Sequence, residues 1–316
     1  MTKVLITDYQ WPDLDIESSL LGKAGIELVL PRGTTEAELA EAATGCAAIM
    51  TCWARTTERV IAAAPDCKIV ARLGIGLDNI DLDYCTRHRI PVTNVPDYCV
   101  IEVAEHALAL LMALSRQVAR FHLDTDRGIY DLSAAAPFRR IQGQTLGIVG
   151  LGNIGQYLAK IGQGIGLRVI GCSRSPKGLP GIQDVSFSEL LCESDFISIH
   201  TPLTPETENL FDRKAFDKMK PTAFLVNTAR GGIVDHRALA DALHQNQIAG
   251  AALDVQSPEP PDLSTAPYND PRVIVTPHAA FVSEESLADL RRRASQQVVD
   301  RLNGKTPESI VNGVVC

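Results

Sequence analysis

The chain has 316 residues, enough for two domains with sizeable cores, and an ordinary globular composition with 45% hydrophobic and 22% charged residues. Its formal net charge of −8 argues against nucleic acid as a general partner, and no apolar run approaches the roughly 18 residues of a membrane span. The eight cysteines include no CxxC pair and no His/Cys cluster with zinc-like spacing, so a reduced, cytoplasmic protein without a metal is expected.

The N-terminus runs straight into a strand pattern, with no signal-peptide signature. Strand patterns at Val4–Asp8, Ile26–Leu30, Ala47–Cys52, Ile69–Leu73 and Pro91–Val95 alternate with helical ones. The helices are read at Asp15–Lys23, Glu36–Ala43 and Thr57–Ala64. This is the rhythm of a doubly wound, mostly parallel α/β unit, whose ligands sit beyond the carboxyl ends of its strands. Cys99 to Phe121 reads as one long helix bridging into a second domain, and residues 124–141 as an arm or loop without a clear period.

From Gly143 the alternation resumes around TLGIVGLGNIGQYLAKIGQGIGLRVIGCSR. Leu146–Val149 is an apolar strand, Gln156 to Ile165 is helical, and Arg168–Cys172 is the next strand. Between them, Gly150 permits a tight turn, Gly152 lets backbone approach a pyrophosphate, and Gly155 lets helix pack on strand. The helix N-terminus, with Asn153 and Ile154, offers amides to phosphate. The strand–GxGxxG–helix–strand context points to a bound dinucleotide. Further strands are read at Phe196–His200, Ala223–Thr228, Gly250–Val255 and Val273–Thr276. Ser186–Glu189 is a capping box, and His236–Asn246 is helical. The last helix, Glu284 to Leu302, has no strand left to follow in this sheet and is expected to fold back on the first domain. Its Arg291-Arg292-Arg293 run reads as a solvated face.

Three strand ends carry chemistry. Arg230 follows one in a glycine-flanked turn, Asp254 and then Glu259 follow another, and His278 follows a third. All would share the edge of the GLGNIG loop. An arginine suits a carboxylate through two parallel N–H···O bonds, and a histidine held by a carboxylate can give a proton to a carbonyl oxygen. Beside a nicotinamide, that set suits reduction of a 2-keto acid.

The motifs GLGNIG, HTPLTPET, LVNTARGG, ALDV…EP and TPHAA, with RLGIGLDNID and NVP…VAEHAL, together resemble the D-isomer-specific 2-hydroxyacid dehydrogenases along the whole chain. The resemblance implies an α/β protein of two doubly wound parallel-sheet domains. A Rossmann dinucleotide-binding domain (99–284) would be inserted in a flavodoxin-like substrate domain (1–98 and 285–316). It implies Arg230, Glu259 and His278 as the catalytic set. The cofactor would meet Gly150, Gly152, Asn153, Ile154 and Gly155, then Ser173, Arg174 and Ser175. Further along it would meet His200, Thr201, Pro202, Thr207, Thr228, Ala229, Arg230, Asp254, His278 and Ala280. The substrate would meet Trp53, Leu73, Gly74, Ile75, Gly76, Arg230 and His278, with Arg55, Arg72, Tyr98 and Cys99 shaping the pocket. Members of this family are typically dimers joined through the second domain and its 118–141 arm, so a homodimer is expected.

TPHAAFVSEES looks especially like the branch that includes the C-terminal-binding protein corepressors. Two departures matter. Where NAD-using members carry an acidic residue this chain reads Cys172-Ser173-Arg174-Ser175, so NADP(H) is favoured over NAD(H). The chain also stops at Cys316 without an appended regulatory domain, so serine-type feedback is not expected. The expected activity interconverts a small 2-keto acid and its D-2-hydroxy acid, as glyoxylate or hydroxypyruvate reduction. Oxidation of D-3-phosphoglycerate and a dinucleotide-sensing binding protein stay open as alternatives.

Overall fold

A computed structural model describes residues 1–132 and 138–315. They form two units, Met1–Tyr98 with Ser283–Cys316, and Cys99–Val282. In the first, β1 (Thr2–Ile6), α1 (Asp15–Lys23), β2 (Ile26–Val29), α2 (Glu36–Ala43), β3 (Ala48–Thr51), α3 (Glu58–Ala62), β4 (Val70–Arg72), α4 (Leu82–Arg87) and β5 (Val92–Thr93) alternate. The strands pair in parallel in the order β2-β1-β3-β4-β5, the flavodoxin-like winding. Both faces are covered, and side chains divide between them with the period of two that a strand imposes. Val4, Ile6 and Met50 enter one core, while Leu5, Ile49 and Val70 enter the other.

The second unit opens with α5 (Val100–Arg116) and α6 (Val118–Asp126). The single helix expected over Cys99–Phe121 is broken at Gln117, whose φ of 50° lies in the left-handed region and turns the chain. The predicted arm is therefore helical as far as Asp126, and its residues 133–137 lie outside the described set. There follow β6 (Thr145–Val149), α7 (Asn153–Gly164), β7 (Arg168–Cys172), β8 (Gln183–Asp184), α8 (Phe187–Glu193), β9 (Phe196–Ile199), α9 (Arg213–Phe216), β10 (Phe224–Asn227), α10 (His236–His244), β11 (Gly250–Leu253) and β12 (Val273–Val275). All seven strands run parallel in the order β12-β11-β10-β9-β6-β7-β8. The chain reverses direction across the sheet between β6 and β9, the place where open α/β sheets take their ligands. The fold is α/β with two parallel sheets, as the alternation predicted.

Caps set several helix starts. Thr35 with Glu38, and Ser186 with Glu189, form capping boxes, and Asp235 accepts from the amides of Arg237 and Ala238. The final helix, α11 (Glu284–Leu302), lies on α1 in the first unit. Here the solvated reading of the triple arginine fails. Three consecutive helical residues fan over about 200° of the helix, so one of them can face the neighbour on which the helix packs. Arg291 is buried, its guanidinium on Glu17 at 2.8 Å and on Asp13 at 2.8 Å. Arg293 pairs with Asp97, Asp289 and Glu308, and Arg292 remains exposed.

Candidate active site

The loops after the strands of the seven-stranded sheet share one edge because every strand runs the same way. After β6 the chain turns at Gly150, with φ +100°, and an added Cβ there would strike the carbonyl of His200. At Gly155, in the first turn of α7, a Cβ would strike the carbonyl of Gly150. Gly152 is different. No atom lies within 4 Å of the place its Cβ would take, and no side chain caps the helix it opens. Backbone packing fixes two of the glycines, while the third keeps open space in front of uncapped helix amides, which suits a diphosphate. The α7 helix starts at Asn153, earlier than the sequence pattern suggested, so Asn153 and Ile154 are in that first turn.

Next along the edge, Ser173 donates from Oγ to the carbonyl of Ser175 at 2.7 Å, and Arg174 is exposed. Asp184, at the end of β8, shares a cleft with Ser173, but its carboxylate accepts from the amides of Lys177 and Gly178. Glu206, in the loop after β9, has its carboxyl held low by the Thr204 hydroxyl and a backbone amide, with Arg174 adding a weaker pull. His200 follows β9. Burial pushes its imidazole down to about 4, so the ring is neutral at neutral pH, with Nε2 2.8 Å from Ser198 Oγ. Thr207 Oγ donates to the carbonyl of Pro202 at 2.7 Å and holds that loop closed beside Thr201.

After β10, Thr228 has a buried hydroxyl with no hydrogen-bond partner among the described residues. Asn227 ties down the turn that follows, accepting from the Ala229 amide and donating to the Arg230 carbonyl. Arg230 is half-buried, with Nη1 2.7 Å from the Ala229 carbonyl. Gly231 lies against the backbone of Gln256, and a Cβ there would overlap it. The Arg230 turn is thereby packed on the segment that carries Glu259.

Glu259 is held at both oxygens. Oε1 accepts from the Gln256 amide at 2.8 Å, and Oε2 lies 3.0 Å from His278 Nδ1. The carboxylate on Nδ1 assigns a proton to that nitrogen. His278 has φ 52°, an uncommon conformation for a residue with a side chain, and Asp254 holds it there. The Asp254 carboxylate is fully buried. It accepts from Thr276 Oγ at 2.6 Å and from the amides of Ala279 at 2.9 Å and Ala280 at 3.0 Å. Its backbone carbonyl takes the His278 amide at 2.8 Å. Burial alone would raise this carboxyl, but the hydrogen bonds from His106, Thr276 and the two amides outweigh it and hold the group below the usual range.

Arg230, Glu259 and His278 thus belong to one unit. Trp53, Leu73, Gly74, Ile75 and Gly76, expected to meet the substrate, belong to the other, at the ends of β3 and β4. Sequence reasoning missed His106, whose Nε2 lies 3.2 Å from Thr276 Oγ and 3.5 Å from Asp254. It also missed Gln256, which donates to the carbonyls of Leu253 and Thr276. A histidine in the Ala- and Leu-rich helical run that holds VAEHAL was the available signal for the first. Gln256 had none. Among the described residues no group of three or more His, Cys, Asp or Glu could hold a metal ion.

Residues 108–280, more than half of the chain, match the model of the D-isomer specific 2-hydroxyacid dehydrogenase NAD binding domain. The chain belongs to the D-isomer-specific 2-hydroxyacid dehydrogenase family. Within that family it is similar to a D-3-phosphoglycerate dehydrogenase of Synechocystis, at 35% identity over 99% of this chain and 56% of that protein. It is also similar to a glyoxylate reductase of Thermococcus litoralis, at 37% identity over 79% of this chain and 78% of that protein. The chain therefore spans little more than half the length of the phosphoglycerate dehydrogenase. Among solved structures it is similar to the TT0316 protein of Thermus thermophilus, with TM-score 0.91 and 33% identity over 98% of this chain and 100% of that one.

Proposed function

We propose that the chain is an oxidoreductase that transfers a hydride between NAD(P)H and a small 2-keto acid, giving the D-2-hydroxy acid, with glyoxylate or hydroxypyruvate as substrate. The observation that carries this is the His278–Glu259 pair, 3.0 Å apart, on a turn that a fully buried aspartate holds. In this reading Cys99–Val282 is the dinucleotide domain, and Met1–Tyr98 with Ser283–Cys316 is the substrate domain.

The open space at Gly152, the uncapped amides of α7 and the unpartnered Thr228 hydroxyl fit a dinucleotide. They, with Gly150, Asn153, Ile154 and Gly155, would hold it. A nicotinamide bound there supplies or accepts the hydride. Arg230 holds the substrate carboxylate through its planar fork and polarises the carbonyl. Glu259 keeps a proton on Nδ1 of His278, so Nε2 delivers the second proton of the imidazolium to the carbonyl oxygen as the alcohol forms. In the reverse direction Nε2 takes that proton back. Asp254 does its work one step removed, through the turn that aims His278. The amides of the Leu73–Gly76 loop and the indole of Trp53 receive the rest of the substrate.

NADP(H) is the proposed preference. An acid at position 173 would accept from a ribose 2′-hydroxyl and repel a 2′-phosphate; Ser173 removes the repulsion, and Arg174 and Ser175 can meet the phosphate. Asp184 shares the Ser173 cleft as a competing charge, and two backbone amides already engage it. A second reading, D-3-phosphoglycerate oxidation, draws on the Synechocystis relative and on the exposed Arg55 beside Trp53, which can meet a phosphate. The protein is further proposed to act in the cytoplasm as a homodimer. The exposed Val118, Leu123 and Tyr130 supply apolar surface for that contact. No helix of the described residues is long and apolar enough to cross a membrane.

The deciding experiment is a panel of glyoxylate, hydroxypyruvate, pyruvate and D-3-phosphoglycerate, each with both nicotinamide cofactors. Turnover of the first two with NADPH supports the proposal, and turnover of the last alone selects the second reading. Dinucleotide binding without turnover would select a sensing protein instead. Ser173→Asp with Arg174→Ala should turn the preference towards NADH.

A further inference from the structure

One carboxylate collects three successive amides at the end of β3. Asp8 follows β1, which lies beside β3 in the sheet, and it reaches the loop Cys52-Trp53-Ala54 from there. Its Oδ1 accepts from the amides of Cys52 at 3.2 Å and Ala54 at 3.1 Å, and its Oδ2 from that of Trp53 at 2.7 Å. The Thr7 hydroxyl donates to Oδ1 as well, at 2.7 Å. The carbonyls of the same loop are gathered by a second residue. Asn79 Nδ2 donates to Cys52 at 3.2 Å and to Ala54 at 2.9 Å. Successive amides that converge on an anion form a nest, and bonds to a charged acceptor are the strong ones.

Arg72 ties this loop to the next. Its guanidinium donates to the carbonyls of Thr51, Leu73 and Gly76 and lies 5.9 Å from the centre of the Trp53 ring. Asn94 holds the carbonyl of Ile75 at 2.9 Å, and the Val95 amide holds that of Gly74. The carbonyls of residues 73–76 are thereby all engaged. In a planar peptide the N–H opposes the C=O, so the amides of Gly74, Ile75 and Gly76 point away from those partners. The half-buried Trp53 indole stands over the same arginine.

We propose that Asp8 and Asn79 are positioning residues that set the size selectivity of the reaction, by locking the Trp53 loop so that the indole is a fixed wall against the substrate group on carbon 3. This rests on the reading of this strand edge as the substrate end. A loop held at three amides and two carbonyls cannot swing aside for a larger acid, so small 2-keto acids are favoured. A role in stability alone would leave the ranking of substrates untouched.

The test compares glyoxylate and hydroxypyruvate with 2-ketoisocaproate and phenylpyruvate in wild type, Asp8→Asn, Asn79→Ala and Trp53→Ala. The ratio of kcat/KM for small over bulky acids should fall by roughly tenfold or more in all three variants, the scale at which an apolar wall discriminates. The cofactor KM should stay unchanged. Amide exchange at Cys52, Trp53 and Ala54, read without substrate, should speed up by roughly tenfold to a hundredfold in Asp8→Asn, the scale of a lost bond to a charged group. If Asp8→Asn does not fold, Asn79→Ala carries both measurements. An unchanged selectivity ratio overturns the proposal, and so does unchanged exchange. Faster exchange in a protein whose wild type reduces none of these acids would instead overturn the proposed function while leaving the clamp in place.

Discussion

At the scale of single residues, the active-site edge separates groups that would touch substrate from groups that hold them. Arg230 is proposed to be of the first kind. A carboxylate gripped by a planar fork discriminates between arginine and lysine, which share a charge but not a geometry. Arg230→Lys should therefore lower kcat/KM for the keto acid by about 10- to 100-fold, the loss of one or two charge-assisted bonds. Dinucleotide affinity, measured by calorimetry, should hold within about twofold because the proposed diphosphate cradle is untouched. Equal losses in both would mean that the residue only supports the loop. His200 is of the second kind and reports on pH. Its imidazole sits at about 4 when folded against an ordinary 6.5, because burial disfavours the charged form. Below 6.5 the unfolded chain takes up a proton that the folded chain refuses. The stability present at neutral pH is thus lost progressively as pH falls from 6.5 towards 4, by on the order of 3 kcal/mol at most. Thermal unfolding at about pH 7 and about pH 4.5 should show a smaller acid-induced drop in His200→Gln than in wild type. Identical drops would contradict the desolvated, neutral ring.

At the scale of elements, the β6–α7 turn distinguishes glycines that serve packing from the one that faces outward. An added methyl at Gly155 meets the Gly150 carbonyl, whereas one at Gly152 meets open space at an ordinary φ of −76°. Gly155→Ala should cost about 1–3 kcal/mol of stability, the usual penalty of overpacking. Gly152→Ala should melt like wild type yet bind dinucleotide at least about tenfold more weakly, one lost contact's worth of free energy. A normal affinity in Gly152→Ala would argue that no diphosphate sits there. These glycines were legible in the sequence because a strand, a turn and a helix in one stretch leave few other roles for them. The break at Gln117 was not. Its left-handed φ ends α5 and opens α6, and nothing in VIEVAEHALALLMALSRQVARF interrupts the helical pattern. Likewise the inward Arg291 is visible only once α1 supplies Glu17, 274 residues away in sequence.

At the scale of the whole molecule, both sheets were legible because buried parallel strands announce themselves as short apolar runs between helices. The three strand-end residues were legible because chemistry on such sheets collects beyond the carboxyl ends. What the pattern could not carry is the layer beneath. His106, Gln256 and Thr276 come from separate elements and meet only around Asp254 and the turn after β12, and Asp8 reaches its loop only because β1 lies beside β3. The central claim is that His278, held by Glu259, delivers the proton as a 2-keto acid is reduced. Single-turnover reduction of glyoxylate by NADPH in wild type and His278→Ala tests it most directly. The account predicts a rate roughly 10²- to 10⁴-fold lower in the variant with NADPH binding intact. A variant that reduces glyoxylate at the wild-type rate would contradict it.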